Sequence, residues 1–272
     1  MDTIQVEASE DAQTTAFLDA IGVRKIGPRL SPFDPGYDPQ TLDGHLKQSA
    51  HLIDVLKISM ACWLIAHEEA TRSKVAAAIQ YGVPTTTGGG PFEIAVAQKR
   101  LPEYLQLCAS FGFTRIECGE GFTELRMGAS EVVNSAKELG LDVQFELGKK
   151  HLGAFRHSIV DELIAQGQVW LDAGAVCVVV EARESAAGVG LFDDDGTLNH
   201  DFADRFADAF GLDLVTFEAP NKSSQFALLD HFGPEVKLSN VRLEELLRVE
   251  IYRRGLHSDA FGRDNLRPIA TT

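Results

Sequence analysis

Short apolar, β-branched runs alternate along the chain with segments of helical periodicity. Residues 25–30, 53–59, 83–87, 114–118, 142–147, 176–181, 214–218 and 236–239 read as strands. Between them, 93–111, 130–139, 158–171, 200–210 and 223–232 carry apolar residues at helical spacing, and 243–254 follows the last strand as a final helix. Phe202, Phe206 and Phe210 recur every fourth residue and mark one helical face. A strand–helix unit repeated eight times implies a parallel sheet. In 272 residues with no Pro/Gly/Ser-rich linker, it predicts an α/β fold, a single-domain (β/α)8 TIM barrel. Residues 1–15 read as a polar N-terminal tail and 16–272 as the barrel domain. An open, doubly wound sheet fits the same pattern, because pattern alone does not show closure. Pro28 and Pro32 interrupt the first strand, so it is expected to be short.

Composition narrows the partners. The chain is 44% hydrophobic, enough to fill one large core, and its formal net charge is −15. That charge argues against nucleic acid and anionic membranes as partners, while leaving room for small anionic substrates in a locally positive site. No run of about 18 apolar residues offers a membrane span, and the acidic start lacks the basic and apolar regions of a signal peptide. Cys62, Cys108, Cys118 and Cys177 show no CxxC or zinc spacing. They are expected as free thiols, three of them buried, which suits a reduced, cytoplasmic setting. A homo-oligomer is expected, as for many barrels.

Chemistry enters at the strand ends. In a closed parallel barrel the C-terminal strand ends converge on one face, where active sites lie. Read in order, those ends supply Asp34, Lys57, the turn Gly88-Gly89-Gly90, Glu117, Glu146 with Lys149 and Lys150, Glu181 with Arg183 and Glu184, Glu218, and Asn240. One such carboxylate reads equally well as an ion pair or a helix cap. Carboxylates at five strand ends, with cations at three, point to a site. Crowded carboxylates repel, and a divalent cation relieves the repulsion. Hard oxygen ligands without a Cys or His cluster favour magnesium over zinc. In TTTGGGPFE (85–93), Pro91 suits the first turn of a helix, and the free backbone N–H groups before it suit a phosphate or carboxylate.

The segments FELGKK (145–150), VEARES (180–185), GVGLFDDDG (188–196), FEAPNKSSQ (217–225) and RRGLHSDAFG (253–262) resemble the phosphosulfolactate synthase family from about residue 34 to residue 262. The resemblance implies a (β/α)8 barrel and a lyase that joins sulfite to phosphoenolpyruvate with Mg2+, through an aci-carboxylate, on the route to coenzyme M. It implies Lys150, the second lysine of the E-x-G-K-K motif, as the proton donor, with Lys57 and Arg183 beside it in catalysis. It implies Glu117, Glu146, Glu181 and Glu218 as metal or water-mediated ligands. Asp34, Gly88, Gly89, Gly90, Lys149, Glu184, Asn240, Arg253 and His257 are then the substrate-binding candidates.

The chain also departs from the family pattern. GPRLSPFD stands where the family has G-L-T before the first acidic residue, and ISMACW replaces G-W-G-T-S after Lys57. Gly88-Gly89-Gly90 replaces G-G-T, CGEG replaces I-S-D-G after Glu117, and GLHSDA replaces G-L-R-G-D-T. These changes fall in anion-binding segments and spare the glutamate and lysine core. Each lost charge-assisted hydrogen bond is worth about 1.5–3 kcal/mol. Three readings follow: the family reaction, a relative acting on another enol carboxylate or nucleophile, and a stress-related binding protein without turnover.

Overall fold

The computed structural model describes residues 11–58, 60–151 and 153–267. Eight strands, β1 (Leu30–Asp34), β2 (Leu56–Ile58), β3 (Thr85–Thr87), β4 (Arg115–Gly119), β5 (Asp142–Leu147), β6 (Cys177–Val180), β7 (Val215–Glu218) and β8 (Lys237–Arg242), close in sequence order into one barrel. Every neighbouring pair is parallel, and β1 returns to β8. The chain is therefore a (β/α)8 barrel, and the open sheet is excluded.

The first strand begins at Leu30 instead of Lys25. Residues 24, 25, 27 and 28 lie exposed, and the buried run of the strand starts at Leu30. Pro32 is accommodated by a register shift against β8 between Ser31 and Pro32. The helix expected over 93–111 is two helices, α5 (Gly89–Ala97) and α6 (Leu101–Phe111). Lys99 adopts a left-handed φ of 57° between them, and Pro102 starts the second. Residues 1–10 of the expected tail, and Ser59 of the expected second strand, lie outside the described residues. From Asp11 the chain is helical, α1 (Asp11–Ala20).

Helices α2 (Pro39–Ser49), α3 (Cys62–Ile65), α4 (Glu68–Gln80), α7 (Ala129–Lys137), α8 (His157–Ala173), α9 (His200–Phe210), α10 (Lys222–Phe232) and α11 (Leu246–Arg253) complete the outer layer with α5 and α6. Strand side chains alternate between two environments. Phe145 stacks on Trp170 of α8 at 4.2 Å, and Phe217 stacks on Phe232 of α10 at 5.3 Å, so these positions face the helices. Their strand neighbours Gln144, Glu146, Thr216 and Glu218 face the opposite way and are all buried. An interior of this kind departs from the Val/Ile/Leu filling usual for such barrels. A polar barrel interior is stable only when its members satisfy one another. Cys108, Cys118 and Cys177 are buried free thiols and Cys62 is half-buried, as expected. Among the described residues no helix is long and apolar enough to cross a membrane.

Candidate active site

The interior polar groups form one connected set. Lys57 Nζ lies 2.8 Å from Glu117 Oε2 and donates to Asn240 Oδ1 at 2.9 Å. Glu117 also accepts from Gln144 Nε2 at 2.8 Å and from the Gly89 backbone N–H at 3.0 Å. The N-terminus of α5 is thus already directed at a carboxylate of the protein. Asn240 turns its amide nitrogen to Glu218, whose other oxygen accepts from the Ala182 and Arg183 N–H groups at 2.8 and 3.1 Å. The Arg183 N–H is shared with Glu181 Oε1 at 2.6 Å. This nest exists because the chain after β6 turns through Arg183 at φ 55°, a conformation L-residues adopt at a cost. Asn240 and Met60, on the same end of the barrel, are also left-handed, at 52° and 49°. Such strain persists only where surrounding contacts over-determine it.

Lys150 completes the set. Its ammonium lies 3.3 Å from Glu146 Oε1 and 3.4 Å from Glu181 Oε2, with 28% of the side chain exposed. Here the buried network reaches solvent. Burial opposes its charge, but Glu146 and Glu181 outweigh burial and raise its pKa, so the ammonium is full at neutral pH. The same balance raises Lys57, through Glu117, Glu218 and Glu146. Burial, then the charges of Glu181 and Glu117, pushes the Glu146 carboxyl well above its usual range. Burial, then Glu181 and Glu146, does the same to Glu218. Glu181 goes the other way: burial raises it, but Lys150 and its hydrogen bonds bring it below the ordinary value.

Several sequence-predicted residues stand elsewhere. Asp34 is 1% exposed, and its carboxylate is taken by Lys74 at 2.7 Å and the Gly36 and Tyr37 N–H groups. Both of its oxygens are thus engaged by the protein. Arg253 is fully buried and donates to the Pro234 and Val236 carbonyls at the entry to β8, the end of the barrel away from Asn240, and pairs with Glu250. His257 accepts from the Asp259 N–H and packs against the stacked pair of Phe226 of α10 and Tyr252 of α11. Arg253 thus lies away from the mouth, and His257 contacts the helix layer. Lys149 and Glu184 are exposed near it, and Arg183 donates to the Lys150 carbonyl at 2.6 Å. Gly88 packs against the Met60 backbone, where an added Cβ would sit 3.0 Å from Met60 N, while Gly90 is open.

The four glutamates are not equally free to take a metal. Among the described residues no three His, Cys, Asp or Glu side chains are placed to hold a metal ion. Both oxygens of Glu117 and of Glu218 accept hydrogen bonds, so these two carboxyls are spent on the protein. Glu181 Oε2, by contrast, is buried with no hydrogen-bond partner, and Glu146 shares Lys150 with it. Magnesium ordinarily takes one or two protein carboxylates and fills the rest with water and substrate oxygens. Glu146 and Glu181 fit that role.

Sequence reasoning missed Gln144, Lys74 and Glu93. A glutamine inside a strand and a glutamate early in a helix look ordinary locally. The signal available for Gln144 was its two-residue spacing from Glu146, which places both on one strand face.

The model of the (2R)-phospho-3-sulfolactate synthase family matches residues 31–259. The chain belongs to this family. It is 32% identical to the phosphosulfolactate synthase of Methanocaldococcus jannaschii over 231 residues, covering 85% of this chain and 92% of that protein. It is 27% identical to the phosphosulfolactate synthase of Bacillus subtilis over 231 residues, covering 84% and 90%. As a member of the phosphosulfolactate synthase family the chain is an enzyme of the lyase kind, and the reading as a binding protein without turnover falls. Among solved structures it resembles the YdjI aldolase of Escherichia coli K12, with TM-score 0.54, 12% identity and coverage of 89% of this chain and 86% of that one. Deoxyribose phosphate aldolase of Aeropyrum pernix gives TM-score 0.53 and 14% identity, covering 83% and 89%. At those identities the likeness speaks for the barrel fold alone.

Proposed function

We propose that the enzyme joins sulfite to phosphoenolpyruvate to give phosphosulfolactate, with magnesium. The supporting observation is the Lys150 ammonium, half-open to solvent between Glu146 and Glu181 in a chain of this family. The sulfur lone pair of sulfite bonds to the methylene carbon, and the C=C electron pair moves into the carboxylate as an aci-carboxylate. A proton from Lys150 Nζ then forms the C–H bond at the adjacent carbon, and water restores the ammonium. Nothing is oxidised or reduced. The carboxylates that raise Lys150 keep it charged, so it serves as an acid and not as a base. Lys57, spent on Glu117 and Asn240, contributes fixed positive charge beneath the reacting carboxylate. Arg183 and Lys149 at the rim offer cations for the two anionic reactants. A magnesium ion held by Glu146 and Glu181 supplies, when bound, further charge stabilisation at the substrate carboxylate. The chemistry suits a reducing compartment such as the cytoplasm, in keeping with four unpaired thiols.

A second reading keeps the enolate chemistry and changes the substrate's anionic end. Met60, 54% exposed, stands beside Gly88 where the family carries glycines and hydroxyls, and the Gly89 N–H is held by Glu117. That side of the mouth suits an enol carboxylate with a less charged substituent.

Phosphorus NMR with phosphoenolpyruvate, sulfite and magnesium, beside a chelator control, separates the two. A new metal-dependent phosphate-ester signal supports the family reaction. No consumption by folded, metal-replete protein sinks it.

A further inference from the structure

Glu93 lies on α5, four residues after the Gly89 N–H that binds Glu117, and is 1% exposed. Its carboxylate crosses to the loop after β4. Oε1 accepts from the Gly121 N–H at 3.1 Å, and Oε2 accepts from the Phe122 and Thr123 N–H groups at 2.9 Å each and from Thr123 Oγ1 at 3.0 Å. Four hydrogen bonds to one buried carboxylate fix the start of that loop. The fixed loop in turn touches Lys150 twice. The Lys150 N–H donates to the Gly121 carbonyl at 2.9 Å. The lysine stem lies flat on the Gly121 backbone, so a Cβ on Gly121 would sit 2.8 Å from Lys150 Cε and 3.0 Å from Cγ.

We propose that Glu93 is a positioning residue: it holds the Gly121–Thr123 turn as a wall against which the Lys150 side chain is aligned between Glu146 and Glu181. The inference deepens the role proposed for Lys150 and rests on it. Two features favour this over a loop staple alone. The glycine stands where a side chain would strike both the lysine stem and, at 3.1 Å, Glu93 Oε1, and its φ is not in the left-handed region, so backbone strain does not demand it. The other wall of the Lys150 slot is made by Glu146 and Glu181 themselves, so removal of the loop wall leaves the stem free on that side.

The test uses the full-length protein as wild type and as Glu93→Ala, Glu93→Gln and Gly121→Ala. One readout is competitive labelling of lysine amines by a limiting acylating reagent at one fixed pH in chelator, with Lys150 quantified by peptide mass spectrometry. The other is turnover, separated into kcat and KM. Misplacing a catalytic group by about 1 Å costs roughly a hundredfold in rate. Gly121→Ala is expected to leave the melting midpoint near wild type, to raise Lys150 labelling severalfold relative to Lys149, and to lower kcat by about a hundredfold with KM little changed. Glu93→Ala is expected to do the same, and Glu93→Gln, which keeps one acceptor oxygen, to recover part of the loss. Unchanged Lys150 labelling in folded Glu93→Ala and Gly121→Ala overturns the proposal. If Glu93→Ala does not fold, Gly121→Ala decides alone. Labelling does not depend on the reaction, so shifted labelling without turnover on phosphoenolpyruvate would uphold the positioning role and reject the substrate.

Discussion

Lys57 and Glu117 meet inside the barrel, Nζ to Oε2 at 2.8 Å, with side chains 6% and 1% exposed. The pair links β2 to β4 and reaches on to Asn240 of β8 and Gln144 of β5. Water does not compensate either charge there. Removing one partner strands the other in a low-dielectric interior.

Lys57→Met is therefore expected to cost about 3–5 kcal/mol of unfolding free energy. Adding Glu117→Gln should recover part of that, because the stranded charge disappears. Urea denaturation of the two variants measures both. A single variant within about 1 kcal/mol of wild type would show that the pair does not carry the interior.

Gly190 is the second fixed point. Its φ is +59°, and a Cβ there would lie 2.0 Å from the Glu181 carbonyl oxygen. Its own carbonyl accepts from the Phe155 N–H at 2.8 Å, so the loop cannot retreat freely. Gly190→Ala should cost about 3 kcal/mol or more, from left-handed strain plus overpacking. It should also lower activity per folded molecule, since the displaced backbone carries Glu181. Thermal melting with an activity assay checks this; a variant normal in both would refute the close approach.

The barrel was legible because both of its periods are in the sequence. Strands end in carboxylates at regular intervals, and the helices between them carry spaced apolar residues. Glu146, Lys150, Glu181 and Glu218 were found that way, since being a strand end in a closed barrel fixes a place. What stayed hidden depends on contacts between distant segments. Nothing near Asp34 announces Lys74, and nothing near Glu93 announces a turn 28 residues later. Arg253 stands away from the mouth because a family-like segment can lie in the helix layer and stabilise the barrel. The start of β1 was misjudged because a bulge lets Pro32 sit inside a strand.

Arg253→Met tests that reassignment. Burial lowers its guanidinium pKa to about 9, still charged at neutral pH, and its donors satisfy two carbonyls below β8. The substitution should cost about 3 kcal/mol by leaving buried acceptors and Glu250 undersatisfied. KM and kcat of the folded fraction should stay within about twofold of wild type, a change of under 0.5 kcal/mol. A selective rise in KM would return Arg253 to the substrate.

Glu146→Gln reads the charge state of the mouth. Burial and its acidic neighbours raise the Glu146 carboxyl in the folded protein. Above about pH 4.3, the ordinary carboxyl value, the unfolded chain releases this proton while the folded chain keeps it. The folded state then binds more protons, so this group's contribution to stability is full below that pH and is lost as pH rises through the folded value. Glutamine has the same shape and no proton to lose. In chelator, Glu146→Gln should be more stable than wild type at pH 7–8, and the difference should close below about pH 4, where both side chains are neutral. Denaturation curves at three pH values, spanning that range, decide the matter. A variant less stable than wild type at the highest pH would mean that Glu146 is an ionised partner of Lys150.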